Sequence, residues 1–210
     1  MELRTHDLLR LPTPAAVRVV EPPEWLAEAL GNAPWVVVRR AAPVAGRVPV
    51  GIRGAHRDQR CAAFVEPSSV VERVAPEALV QRQAWRTAVR ADHPVIRAIE
   101  HLAPRLDATG LAWGVAGGAG FELATGQPVL REESDLDIIV RVEFPLPLAA
   151  LRHVAEAGVT AAARVDVLVE SDIGAFSLAE FNERRDALLL RGIGSPRLIA
   201  RTELLKATAG

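Results

Sequence analysis

The segment Ser134-Asp135-Leu136-Asp137-Ile138-Ile139-Val140 constrains the fold more than any other. Its apolar run reads as a buried strand, yet two carboxylates stand at its mouth. Strand side chains alternate faces, so Asp135 and Asp137 project to one side while Leu136 and Ile138 project to the other. Carboxylates at adjacent same-face positions repel one another unless a cation lies between them, and hard divalent cations such as Mg²⁺ take oxygen ligands. Upstream, the apolar run from Leu111 to Ala116 stops at Gly117-Gly118, and a helix-compatible segment follows. A glycine pair between strand and helix lets a phosphate approach the backbone, where helix N-terminal N–H groups favour an anion. A cation site beside an anion cradle points to phosphoryl or nucleotidyl transfer.

A third carboxylate comes later, in Arg164-Val165-Asp166-Val167-Leu168-Val169. Read as a strand, this segment puts Asp166 and Leu168 on one face and the three valines on the other. Asp166 on a second strand could complete a two-cation site with Asp135 and Asp137. Between these strands, Leu148 to Ala157 has helical spacing and ends at Gly158. Strand, helix, strand, helix, strand around the acidic residues predicts an α/β (α+β) domain on a small mixed sheet.

With 210 residues, the chain can form one large domain or two small ones. We expect a smaller mixed α/β N-terminal domain over 1–85 and the acidic-site domain over 86–210, with the boundary between residues 75 and 95. In the first part, Glu24–Leu30 reads as a helix, and Trp35–Arg40, Val48–Ile52 and Ala62–Val65 read as strands. Glu77–Arg90 reads as one helix starting after Pro76, with Arg82, Arg86 and Arg90 on a common face. Val95–Leu106 reads as the next helix. Towards the end, Ala175–Phe181 reads as helix or turn, Ala187–Arg191 as a short strand and Pro196–Thr208 as a final helix.

The net charge of −1 gives no bulk signal for a polyanion, so phosphate chemistry must rest on local clustering. No tyrosine is present. Trp25, Trp35, Trp85 and Trp113 read as core or boundary aromatics, so no nucleic-acid stacking platform is expected. Cys61 stands alone, which excludes an internal disulfide and a thiolate metal cluster. The five histidines lack metal-ligand spacing. The N-terminus carries no signal-peptide pattern and no apolar run reaches about 18–20 residues. The expectation is a cytoplasmic protein without a membrane partner. Lys206 is the single lysine, and the arginines Arg39, Arg40, Arg53, Arg57 and Arg60 gather in the first part. Arginine forks suit phosphate oxygens, although an arginine-rich hydrated surface needs no function.

The glycine pair, the Asp-x-Asp and the later carboxylate together resemble the nucleotidyltransferase superfamily. More narrowly, WGVAGGAGFELATGQPVLREESDLDIIVR at 113–141 is similar to the malonate decarboxylase holo-acyl-carrier-protein synthases, or phosphoribosyl-dephospho-CoA transferases. The FELATG-x-PV segment leading to SDLD is the specific part. Further similar segments are His6-Asp7-Leu8-Leu9, VVVRRA at 36–41, VPVGIRG at 48–54, RVDVLVE at 164–170 and GAFSLAEF at 174–181. One departure stands out: the family usually has Gly-Ser where this chain has Gly117-Gly118.

The resemblance implies an enzyme that takes triphosphoribosyl-dephospho-CoA, joins its phosphoribosyl-dephospho-CoA part to a serine of an apo acyl carrier protein subunit of malonate decarboxylase, and releases pyrophosphate. On this reading Asp135, Asp137 and Asp166 are catalytic residues and ligands of Mg²⁺ or Mn²⁺. Asp135 and Asp137 hold the cations that neutralise the triphosphate, and Asp166 serves the attacking serine. Gly117, Gly118, Ser134 and Arg131 bind the donor, and Arg53 and Arg57 bind donor or carrier. Two other readings stay open: a generic ATP-using nucleotidyltransferase, and a non-catalytic interaction module on the same fold.

Overall fold

The computed structural model describes residues 2–56, 58–183 and 185–206. It divides into two compact units, Met1–Ala75 and Pro76–Gly210. Each has its own apolar core. Pro76–Gln81, assigned by sequence to the first domain, packs within the second unit. A Cβ on Gly114 would lie 2.4 Å from the Pro76 carbonyl carbon, so this helix rests directly on the sheet there.

The first unit is built on strands β1 (Leu8–Arg10), β2 (Val17–Arg18), β3 (Trp35–Val38), β4 (Val48–Arg53), β5 (Arg60–Val65) and β6 (Glu72–Val74), with one helix, α1 (Leu26–Asn32). All pairings are antiparallel, in the order β2-β5-β4-β3-β1-β6. Leu9, Val36, Val50 and Val65 lie in the core with Leu26 and Leu30 of α1. β1, β2 and β6 are too short to show a period in the sequence. β1 is fixed by pairing on both sides, and Asp7 beside it is fully buried, its Oδ2 accepting from Arg73 Nε at 2.6 Å and from the Arg4 N–H at 2.8 Å.

The second unit carries α2 (Pro76–Gln81), α3 (Pro94–Asp107), β7 (Ala112–Val115), α4 (Gly117–Thr125), β8 (Leu136–Arg141), α5 (Leu148–Gly158), β9 (Val165–Ser171), β10 (Gly174–Ser177), α6 (Leu178–Asn182), β11 (Ala187–Leu190), β12 (Arg197–Ala200) and α7 (Arg201–Lys206). The mixed α+β architecture expected from the sequence is the one found. Its central sheet runs β10-β9-β8-β7, antiparallel except for the β8–β9 pair, which is parallel and joined by α5 as a β-α-β crossover. Leu136, Ile138 and Val140 are fully buried and share one core with Ile99 and Leu102 of α3 and Leu151 and Val154 of α5. Burial of each such side chain contributes about 1.5–3 kcal/mol.

Three sequence expectations fail because tertiary pairing overrides local pattern. The helix over Glu77–Arg90 ends at Gln81: Gln83 takes a left-handed backbone (φ 48°), and a short 3₁₀ turn, Ala84–Thr87, follows. Arg82, Arg86 and Arg90 therefore share no helical face. Ala175–Phe181 is split, its first half recruited as β10 onto the edge of β9 and its second half starting α6, where the Ser177 hydroxyl accepts from the Glu180 N–H. The final helix is confined to Arg201–Lys206, because Arg197–Ala200 pairs with β11 instead; positions 207 and 208 lie outside the described residues. Among the described residues no helix is long and apolar enough to cross a membrane.

The face of the sheet opposite α3 and α5 carries charged pairs in register at its two ends, Asp137 opposite Asp166 and Arg141 opposite Glu170, with the apolar pair Ile139 and Leu168 between them. Arg141 donates to both Glu170 and Glu77 of α2, and all three side chains are largely buried. This triad pins α2 to the sheet. Removing its cation leaves two buried carboxylates facing each other, so Arg141→Met is expected to destabilise the protein by about 3–5 kcal/mol. Urea denaturation at neutral pH reads this directly, and Arg141→Lys should recover part of the loss.

Candidate active site

β7 and β8 are antiparallel neighbours, so the turn that leaves β7 meets the start of β8. The Ala116 N–H donates to the Asp137 carbonyl at 2.9 Å and fixes that approach. The chain then turns at Gly117, which is exposed and has φ +58°, the left-handed region that favours glycine. A Cβ there would lie 1.8 Å from Asp137 Oδ2. Gly117 is thus required twice, by its backbone and by the carboxylate lying against it. Gly118 follows, half-buried in the first turn of α4, whose leading N–H groups have no partners within the helix.

Asp137 and Asp166 are directly opposed on the parallel β8–β9 pair and point to the same face. Both are partly exposed. Asp135 falls one residue before β8, in the segment that enters the strand. Among the described residues, no group of three or more His, Cys, Asp and Glu side chains closes into a metal cage by itself. At Asp166 both carboxylate oxygens accept from Arg164 Nη2 at 3.1 Å. Mg²⁺ commonly binds through one or two carboxylates together with substrate phosphates rather than in an all-protein cage. The Asp137–Asp166 pair beside a glycine turn fits that pattern.

The remaining predicted binding residues separate. Ser134 and Arg131 close a tight turn: the Arg131 N–H donates to Ser134 Oγ at 2.8 Å, and the Ser134 N–H donates to the Arg131 carbonyl at 2.9 Å. Ser134 therefore shapes the loop that delivers Asp135, and the Arg131 residue is exposed. Arg53 belongs to the first unit, at the end of β4 opposite Arg60. Arg57 lies outside the described residues.

Two features of the site were missed in the sequence. One is Arg164, two positions before Asp166; the same alternation that aligned the aspartates would have found it. The other is the part played by Glu122. Glu122 sits in α4 with its side chain 9% exposed and accepts from Arg90 through both oxygens, and from the Val129 and Leu130 N–H groups at 2.8 and 3.0 Å. Arg90 also donates to the Leu130 carbonyl at 3.1 Å. The FELATG segment ends at Gly126, a left-handed helix terminus (φ +73°), and the loop beyond it is stapled back to α4 by Glu122.

Burial raises the Glu122 carboxyl's affinity for a proton, but the Arg90 and backbone N–H hydrogen bonds outweigh it and hold the group below the ordinary glutamate value. A carboxyl depressed in this way stabilises the fold fully above the ordinary glutamate range. That contribution is lost as pH falls through the lowered folded value. Glu122→Gln is expected to cost about 1.5–3 kcal/mol at pH 7. Urea midpoints followed from pH 7 to acid should fall less steeply in this variant than in the parent.

Comparison with known proteins identifies the family. Sequence models of the phosphoribosyl-dephospho-CoA transferase MdcG N-terminal and C-terminal domains match residues 4–76 and 78–202. A phosphoribosyl-dephospho-CoA transferase from Pseudomonas aeruginosa is 40% identical over 195 residues, covering 92% of this chain and 90% of the relative. The proteins of the same name from Pseudomonas fluorescens and Klebsiella pneumoniae are 38% and 37% identical, covering 93% and 91% of this chain and 92% of each relative. No solved structure matches the chain. With both domains matched and relatives at about 40% identity over nearly the whole chain, the chain belongs to the phosphoribosyl-dephospho-CoA transferase family.

Proposed function

We propose that this protein transfers the phosphoribosyl-dephospho-CoA group of triphosphoribosyl-dephospho-CoA to a serine hydroxyl of the apo acyl carrier subunit of malonate decarboxylase, in the cytoplasm. The observation that carries the reading is the alignment of Asp137 with Asp166 across β8–β9, beside the left-handed turn at Gly117. The relatives' name supports the transferred group. The carrier subunit is inferred from the resemblance of the segments quoted above.

In the reaction, the serine oxygen attacks the phosphorus nearest the ribose as the bond from that phosphorus to the pyrophosphate oxygen breaks. The serine proton leaves to a carboxylate or water, and pyrophosphate departs with the bridging oxygen. Asp137 and Asp166, with Asp135 at the start of the strand, are the residues that would hold Mg²⁺ or Mn²⁺. When bound, the cation neutralises the triphosphate and its leaving group. The chain's own contributions are positional. The Gly117–Gly118 turn lets the donor's phosphates come against backbone N–H groups at the start of α4. Asp137 is held against Gly117. Asp166, on the neighbouring strand, is suited to accept the serine proton. The turn from Arg131 to Ser134 fixes where Asp135 starts, and Arg131 is exposed for contact with the triphosphate. Arg53 and Arg57 are proposed to bind donor or carrier from the first unit.

Mass spectrometry of an apo carrier subunit incubated with this protein, the donor and Mg²⁺ should show a gain equal to phosphoribosyl-dephospho-CoA. A gain equal to AMP with ATP instead would mark a generic nucleotidyltransferase. Asp137→Asn should abolish most turnover while leaving the urea midpoint near that of the parent; a folded variant with near-normal rate would overturn the assignment. Restoring the serine common in the family should add one hydrogen bond to a donor phosphate. Gly118→Ser is therefore expected to tighten donor binding by about two- to tenfold, measured by calorimetry.

A further inference from the structure

Two arginines flank the aspartate pair in opposite circumstances, Arg141 at the end of β8 and Arg164 just before β9. At one end of the polar row, Arg141 is 17% exposed and locked between Glu77 and Glu170. At the other end, the side chain of Arg164 is 72% exposed and that of Asp166 is 43% exposed. Only Nη2 of Arg164 is engaged, with both oxygens of Asp166; Nε and Nη1 make no bond among the described residues. The Arg164 backbone is fixed, since its carbonyl accepts from the Leu136 N–H at 2.8 Å. Its side chain is therefore free to reorient from a stationary root, one residue from β9 and beside Asp166.

We infer that Arg164 is a displaceable counter-ion of Asp166 in the carboxylate pair. It holds Asp166 while the cation is absent, and it moves to the donor's phosphate oxygens once a divalent cation occupies that carboxylate. The inference rests on the proposed cation role of Asp137 and Asp166. An exposed ion pair is weak enough to exchange, and a divalent cation brings twice the charge to the same oxygens. The released guanidinium presents forked donors that match phosphate geometry, and its unused Nε and Nη1 are already available for it. One side chain thus neutralises Asp166 in the resting site and supplies positive charge to the triphosphate in the loaded one.

The test is a titration of the full chain with Mn²⁺ alone, by calorimetry or by electron paramagnetic resonance, followed by inorganic triphosphate at saturating Mn²⁺. The parent, Arg164→Gln, Arg164→Lys and Asp137→Asn are compared. Removing the competitor should tighten Mn²⁺ binding in Arg164→Gln by about two- to fivefold. The same variant should bind inorganic triphosphate about tenfold more weakly. Arg164→Lys should keep the parent's Mn²⁺ affinity and lose only part of the triphosphate affinity. Equal Mn²⁺ affinity in the parent and Arg164→Gln, with binding lost in Asp137→Asn, overturns the exchange and leaves the cation site standing. Mn²⁺ binding that is absent from the parent, or undiminished in Asp137→Asn, overturns the cation reading and the exchange with it.

Discussion

The second unit depends on one pairing: β8 and β9 run parallel, with Asp137 opposite Asp166. Parallel neighbours need a crossover, and α5 supplies it while covering the apolar face. Because side chains alternate along both strands, the register that buries Leu136, Ile138 and Val140 against α3 and α5 also forces the acidic residues onto the other face. A slip of β8 by one residue would bury Asp137 and expose Leu136, Ile138 and Val140. The hydrophobic core therefore sets the register, and the register assembles the site.

Along that polar face, burial decides what each charge can do. The triad of Glu77, Arg141 and Glu170 is enclosed, so its members stay paired and join helix to sheet. The Arg164–Asp166 pair is open to solvent, so its partners can be exchanged. Two like ion pairs along this face thus differ, one locked into the fold and one open to exchange, according to their access to water.

Much of this was legible in the sequence wherever period and chemistry coincided. The alternation at 134–140 and 164–169 located both strands and their common acidic face, and the glycine pair located the turn. The division of labour among short elements was not legible. Glu77–Arg90 has a good helical pattern, yet Gln83 breaks it, and Arg90 is drawn to Glu122, 32 residues away in the chain. The strand at Gly174–Ser177 and the hairpin at Arg197–Ala200 exist because partner edges are present, which no local window reports. The placement of Asp135 and Asp137 at the mouth of one strand and of Asp166 on another was legible, but the engagement of Asp166 by Arg164 was not. The role of Glu122 was not legible either, because the backbone groups it holds come from a loop whose path sequence does not reveal.

That loop has a mechanical consequence. Since the amides of Val129 and Leu130 are hitched to a carboxylate of α4, this stretch and the helix must travel as one body. Between that staple and β8 stand only the few residues from Arg131 to Asp135, themselves drawn into a turn by Ser134, so the path of the chain into the acidic strand is anchored from both ends.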